Sequence, residues 1–140
     1  MIEAKRIAHV MGLTTRIDTL HDLAEMVTKG LPKGTIRTVV SHVLPRRAEQ
    51  TAFIHEIIPE ATYKRRSKTL SAAESARTER LARVVATSEY VWDEPEDASR
   101  FLTTPHAALN GNCPVDVAKT ELGAREVEEL LWKLFHGLLL

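Results

Sequence analysis

The chain holds a single cysteine, Cys113, which leaves no partner for an internal disulfide and no second thiol for a zinc knuckle. No run of about 18 apolar residues occurs, which excludes a membrane-spanning helix. The opening MIEAKRIAHVMGL is broken by charge too often for a secretory signal, so the expectation is a cytoplasmic protein with no membrane association. A glycine-rich loop, a long strand run and an internal repeat are missing as well. The histidines His9, His21, His42, His55, His106 and His136 form no H-x-x-x-H pair, and His55-Glu56 has no second histidine four residues on. No metal or cofactor site is expected. Asp116 and Glu121 are the nearest thing to an acid pair, and carboxylates placed at helix starts serve as caps more often than as catalysts. With no nucleophile and base nominated, the reading is not an enzyme.

What the chain does contain is 140 residues with 44% hydrophobic and 27% charged side chains, enough for one compact domain or two small ones sharing a core. Net charge is zero, but unevenly placed. Residues 1–70 carry 12 Lys and Arg against 7 Asp and Glu, and residues 71–140 carry 7 against 12. Such asymmetry fits two surfaces for different partners, the basic one favouring an anion such as DNA. Mutual attraction of the halves is the alternative.

Spacing predicts helices throughout. Residues 1–16, with Lys5, Arg6 and Arg16 and little apolar periodicity, read as a flexible or partner-ordered arm. Asp18 is placed to cap a helix through Leu20, Leu23, Ala24 and Val27 that ends at Gly30 and Pro32. Ile36, Val39, Val40 and Val43 share one face of a helix over 35–44, despite β-branched content that also permits a strand. Phe53, Ile54, Ile57 and Ile58 do the same over 47–58. The short basic piece EATYKRRSK follows, completing the outline of a helix-turn-helix whose second helix enters the major groove. Lys64, Arg65, Arg66 and Lys68 are the candidate phosphate contacts, with Thr62 and Tyr63 nearer the bases.

Ser71 and Glu74 have capping-box spacing ahead of a long helix over 72–91, with Leu81, Val84, Val85, Ser88 and Trp92 on its inner face and Arg77, Glu79, Arg80 and Arg83 largely outside. A shorter helix over 96–103 points Ala98, Phe101 and Leu102 inward. Gly111 suits a sharp turn and Pro114 a first helical turn. In the last helix, Val127, Leu130, Leu131, Leu134 and Leu138 make one apolar stripe, and Trp132, Phe135 and Leu139 make a second beside it. Together they are wider than the usual core-facing arc of about 100°. Either the helix is buried all round or its excess apolar side meets another molecule.

Leu70-Ser71-Ala72-Ala73-Glu74-Ser75, Arg80-Leu81-Ala82-Arg83, Ala98 to Leu102, Pro105, Ala108-Leu109-Asn110-Gly111, Pro114, Thr120-Glu121-Leu122-Gly123-Ala124, Val127 and Gly137 resemble, in order, the Xre/MbcA/ParS toxin-binding family of antitoxins. This covers about residues 70–140, and residues 17–69 resemble more loosely the Xre-like helix-turn-helix region that precedes it. The resemblance implies an all-α chain, an Xre-like helix-turn-helix part followed by a helical toxin-binding domain. It implies the antitoxin of a type II toxin–antitoxin pair whose partner is a RES-domain toxin, similar to ADP-ribosyltransferases and acting on NAD. Members block the NAD cleft with their C-terminal region and many repress their own operon, so operator DNA and a homo-oligomer, a dimer, are the further partners expected. An autonomous DNA-binding regulator is the competing reading. On the toxin side the candidate anchors are Trp132 and Phe135, with Arg125, Lys133 and His136 as polar contacts. Leu138, Leu139 and Leu140 either enter the cleft or cover its rim.

Overall fold

A computed structural model of the chain describes residues 1–137. Among them the elements are α1 (Ala4–Val10), α2 (Leu20–Lys29), α3 (Thr35–Ser41), α4 (Arg47–Ile57), α5 (Glu60–Arg65), α6 (Ala72–Trp92), α7 (Pro95–Thr103), a 3₁₀ turn (Ala107–Leu109), α8 (Pro114–Val117) and α9 (Glu121–Phe135). Extended pairing among the described residues is confined to two isolated bridges, Pro32 with Thr69 and His106 with Asn112.

α6 is the axis of the molecule. Its capping box forms as expected: Ser71 Oγ accepts from the Glu74 amide at 3.2 Å, and Glu74 Oε1 accepts from the Ser71 amide at 2.8 Å. From Leu81 to Ser88 every residue except Arg83 is buried, because α1, α2, α3, α4, α7 and α9 all pack on this helix. It is therefore the middle of α6, not the last helix, that is buried all round. Trp92 departs from its expected inward place: on the last residue of α6 it is 38% exposed and lies beside Phe101 with ring centroids 5.8 Å apart.

Residues 1–16 are not a loose arm. α1 rests on α6, and Ile2, Ile7, Ala8, Val10 and Met11 are all buried in the common core. Each large apolar side chain so buried contributes about 1.5–3 kcal/mol, enough to hold a seven-residue helix that has no stability alone. The cap of α2 shifts by one residue from Asp18 to Thr19. Thr19 Oγ1 accepts from the Asp22 amide at 3.1 Å while Asp22 Oδ2 accepts from both the Asp18 and Thr19 amides at 3.0 Å.

The end of α2 is tied to the start of α6. Gly30 has φ of +106°, and a Cβ there would sit 2.5 Å from the Leu70 carbonyl oxygen, so only glycine lets the two segments meet. The Leu70 amide then donates to Leu31 O and the Lys33 amide to Lys68 O, both at 2.9 Å. The buried Leu31 amide donates to Ser75 Oγ at 2.8 Å. α3 is helical in spite of its β-branched residues because Ile36, Val39 and Val40 are buried together on one face, and burial outweighs weak propensity.

Candidate functional site

Pro59 breaks the chain after α4, and α5 begins at once, so the two helices stand at an angle set by a two-residue turn, Ile58-Pro59. α5 has no buried residue. Its side chains are nonetheless in different situations. Lys64 Nζ pairs with Glu60 Oε1 at 2.8 Å while 71% of the side chain stays exposed. Arg65 and Lys68 are exposed, and half-buried Thr62 accepts from Arg65 at 3.5 Å. Tyr63 is half-buried, with Lys33 Nζ 4.6 Å above its ring and His55 edge-on at 5.9 Å. Arg66 makes a fork: Nε donates to Glu74 Oε1 and Nη2 to Glu74 Oε2, both at 2.8 Å. The Arg66 hydrogen bonds hold the Glu74 carboxyl down at about 2, against the opposing push of burial.

The structure thus leaves Lys64, Arg65 and Lys68 exposed on and just after α5, with Thr62 half-buried beside Arg65, and engages Tyr63 and Arg66 within the fold. Lys33, half-buried over the Tyr63 ring, adds a positive charge beside α5 and was missed in the sequence, because only the pairing of residues 31–33 with 68–70 brings it there. Such cations can neutralise backbone phosphates while small and polar side chains approach base edges.

The second surface is built at the other end. Thr120 Oγ1 caps α9 by accepting from the Gly123 amide at 3.0 Å. Gly123 allows α9 to start against α8, since a Cβ there would lie 1.8 Å from Val117 O. Val127, Leu130 and Leu131 are buried against the core, and Leu134 is half-buried. The adjoining stripe is only partly covered. Trp132 is half-buried and Phe135 is 47% exposed. With Tyr90 from α6 they form a cluster, ring centroids 5.5–5.7 Å apart, and Arg6 of α1 lies 4.7 Å over the Tyr90 ring. His136 continues the cluster at 5.3 Å from Phe135.

Arg125 and Lys133 are exposed on the same helix, Arg125 within 3.6 Å of Glu121. The expected contacts at Leu138, Leu139 and Leu140 lie outside the described residues. Tyr90 and Arg6 were not found from the sequence, since their place beside Trp132 follows from how α1 and α9 both pack on α6.

Next to this cluster a groove of about 430 Å³ runs between α2 and α9, walled by Met1, Leu20, Leu23, Val27 and Trp132. Its polar side is an ion-pair network. Arg83 Nε meets Glu128 at 2.7 Å, and its Nη atoms lie 3.7 Å from Glu79 and from Glu121. Burial pushes the Glu79 carboxyl up, although Arg83 pulls the other way. Glu79 and Arg83, expected largely outside, are half-buried here because α9 covers that side of α6.

Residues 22–83 match the antitoxin Xre-like helix-turn-helix domain, and residues 88–137 match the antitoxin Xre/MbcA/ParS C-terminal toxin-binding domain. A curated relative, the antitoxin Xre of Pseudomonas putida, is 34% identical over 85 residues, covering 59% of this chain and 54% of that protein. The chain spans about half the length of the relative it matches. The basic α4–α5 surface falls in the first matched segment and the aromatic end of α9 in the second. With both matches in the expected order on an all-helical fold, the chain belongs to the Xre/MbcA/ParS family of antitoxins.

Proposed function

We propose that the chain is the antitoxin of a type II toxin–antitoxin pair, acting in the cytoplasm on a RES-domain toxin that is ADP-ribosyltransferase-like and uses NAD. Neutralisation needs no chemistry from the antitoxin. The C-terminal end of α9 covers the toxin's cleft and keeps the dinucleotide out. The observation that carries this reading is the aromatic cluster of Tyr90, Trp132 and Phe135. It leaves Phe135 47% exposed inside the segment matching a toxin-binding domain. Clustered aromatics of this kind are the usual anchors of a protein interface. Arg125, Lys133 and His136 supply polar contacts around them, and Leu138 to Leu140 extend the apolar end.

The test is growth of cells co-expressing the toxin with antitoxin variants. Deletion of 134–140 abolishes protection, and Phe135→Ala weakens the complex by roughly tenfold or more, as for a hot-spot aromatic. Full protection by the truncated chain overturns the reading.

Alongside this, the chain represses its own operon, binding operator DNA as a dimer through α4 and α5. Thr62, Lys64, Arg65 and Lys68 make the contacts. The exposed basic face of α5 supports that role. It also supports the competing reading of an autonomous regulator, which predicts DNA binding but no rescue of growth.

A further inference from the structure

α5 is the least anchored helix of the molecule. It buries no residue, and it is held to the body by polar and aromatic contacts. The strongest of these is the fork between Arg66, immediately after the helix, and Glu74 in the first turn of α6. Glu74 Oε1 accepts at 2.8 Å from both Arg66 Nε and the Ser71 amide, so one carboxylate joins the pose of α5 to the cap of α6. The Glu74 side chain is 4% exposed and that of Arg66 32% exposed. A bidentate guanidinium–carboxylate pair has one geometry: it takes Nε and Nη2 of the guanidinium, offsets its charge with that of Glu74 and fixes its direction toward α6, which leaves Arg66 a weaker attractor for a phosphate than the exposed Arg65 or Lys68.

We propose that Arg66 and Glu74 form a latch that sets the pose of α5, so that Arg66 positions the DNA-contacting helix and is not itself a phosphate contact. This rests on the DNA-binding part of the function proposed above. Lys64, Arg65 and Lys68 then carry the electrostatic contact. Tyr63, held between Lys33 and His55, is a second support of the same helix.

Positioning and contact predict opposite results for the acidic partner. If the carboxylate were only a negative charge near DNA, Glu74→Gln would tighten binding. If it is half of a latch, the same change weakens binding. Glutamine at that position still completes the capping box, so the start of α6 is kept.

The experiment uses the full chain with two duplexes, the DNA immediately upstream of its own coding sequence and a random-sequence control. Affinity is read across a salt series from about 50 to 200 mM. Lys64→Ala and Arg65→Ala each lower the slope of log K against log salt by about 1. Arg66→Ala and Glu74→Gln weaken binding to the upstream duplex roughly tenfold with the slope unchanged. Arg66→Lys, which keeps the charge and loses the fork, behaves like Arg66→Ala.

Amide hydrogen exchange of the free protein gives a second reading: residues 60–65 exchange roughly tenfold faster in Arg66→Ala and Glu74→Gln, while the interior of α6 is unchanged. A slope lowered by about 1 in Arg66→Ala, with rescue by lysine, makes Arg66 a phosphate contact and overturns the proposal. So does unaltered exchange in residues 60–65. If the unaltered chain binds neither duplex, the DNA reading fails, and the positioning role fails with it.

Discussion

Arg83 Nε donates to Glu128 Oε1 at 2.7 Å, joining the middle of α6 to the middle of α9. The same guanidinium faces Glu79 and Glu121 at 3.7 Å, so three carboxylates converge on it at this crossing, Glu121 being held as well by Arg80 at 3.0 Å and Arg125 at 3.6 Å. Arg83→Met keeps the apolar stem and removes the charge. Glu79 and Glu128 then lose that cation beside the groove while Glu121 keeps Arg80, and the expected cost is about 2 kcal/mol, tempered by the partial exposure of the site. Urea unfolding midpoints measure it. A midpoint equal to that of the unaltered chain would mean that the crossing is held by Val127, Leu130 and Leu131 alone.

Two carboxylates titrate in opposite senses and shape stability against pH. Glu74 is lowered from 4.5 to about 2, chiefly by Arg66, so its contribution is complete above 4.5 and lost as pH falls toward 2. Allowing for screening at the partly exposed Arg66, this is of the order of 1–2 kcal/mol. Glu79 is raised above 4.5 by burial, so the folded state holds its proton more tightly, and stability declines as pH rises from 4.5 through that raised value. Glu74→Gln removes the acid limb, and Glu79→Gln flattens the decline, so that its stability relative to the unaltered chain rises between pH 4.5 and neutrality. Denaturation series from about pH 2 to pH 8 separate the two.

Among the glycines, Gly123 is the one with least room for a side chain. A Cβ would sit 1.8 Å from Val117 O and 2.8 Å from Thr120 Oγ1, both on backbone or cap atoms that position α9. Gly123→Ala gains helix propensity of about 1 kcal/mol, and the clash outweighs it. The net expectation is a loss of about 3 kcal/mol or more, read as a fall in thermal midpoint by circular dichroism. A rise in the midpoint would show that α9 can move off α8 without penalty.

Local signals account for what was legible. The Ser71 and Glu74 capping box, the Pro59 break, and the spacing of Phe53, Ile54 and Ile57 all act within one or two turns, and each helix they predict is present. Seven-residue α1 is too short for its spacing to stand out, and Lys5, Arg6 and His9 interrupt its apolar positions. Its membership of the core was therefore hidden. The Arg66–Glu74 fork and the stacking of Arg6 on Tyr90 are tertiary facts with no spacing rule behind them. The width of the α9 stripe was visible, but how it divides between Val127, Leu130 and Leu131 inside and Phe135 outside depends on where α1 and α6 lie.

The folded N-terminus makes the last prediction. If residues 1–12 were an arm, removing them would leave stability unchanged. Instead Ile2, Ile7, Val10 and Met11 are buried in the common core, each contributing about 1.5–3 kcal/mol, against a backbone ordering cost of about 1–2 kcal/mol per residue. The balance is close, so deletion costs a few kcal/mol at most for α1 itself. It also uncovers Trp132 and the buried flank of α6, which adds to the loss. A single change is cleaner. Ile7→Ala leaves a cavity at a residue 2% exposed and lowers stability by about 2–4 kcal/mol, whereas Lys5→Ala on the outer face stays within about 0.5 kcal/mol. Urea unfolding of the two variants side by side decides it, and equal midpoints would place α1 outside the cooperative core.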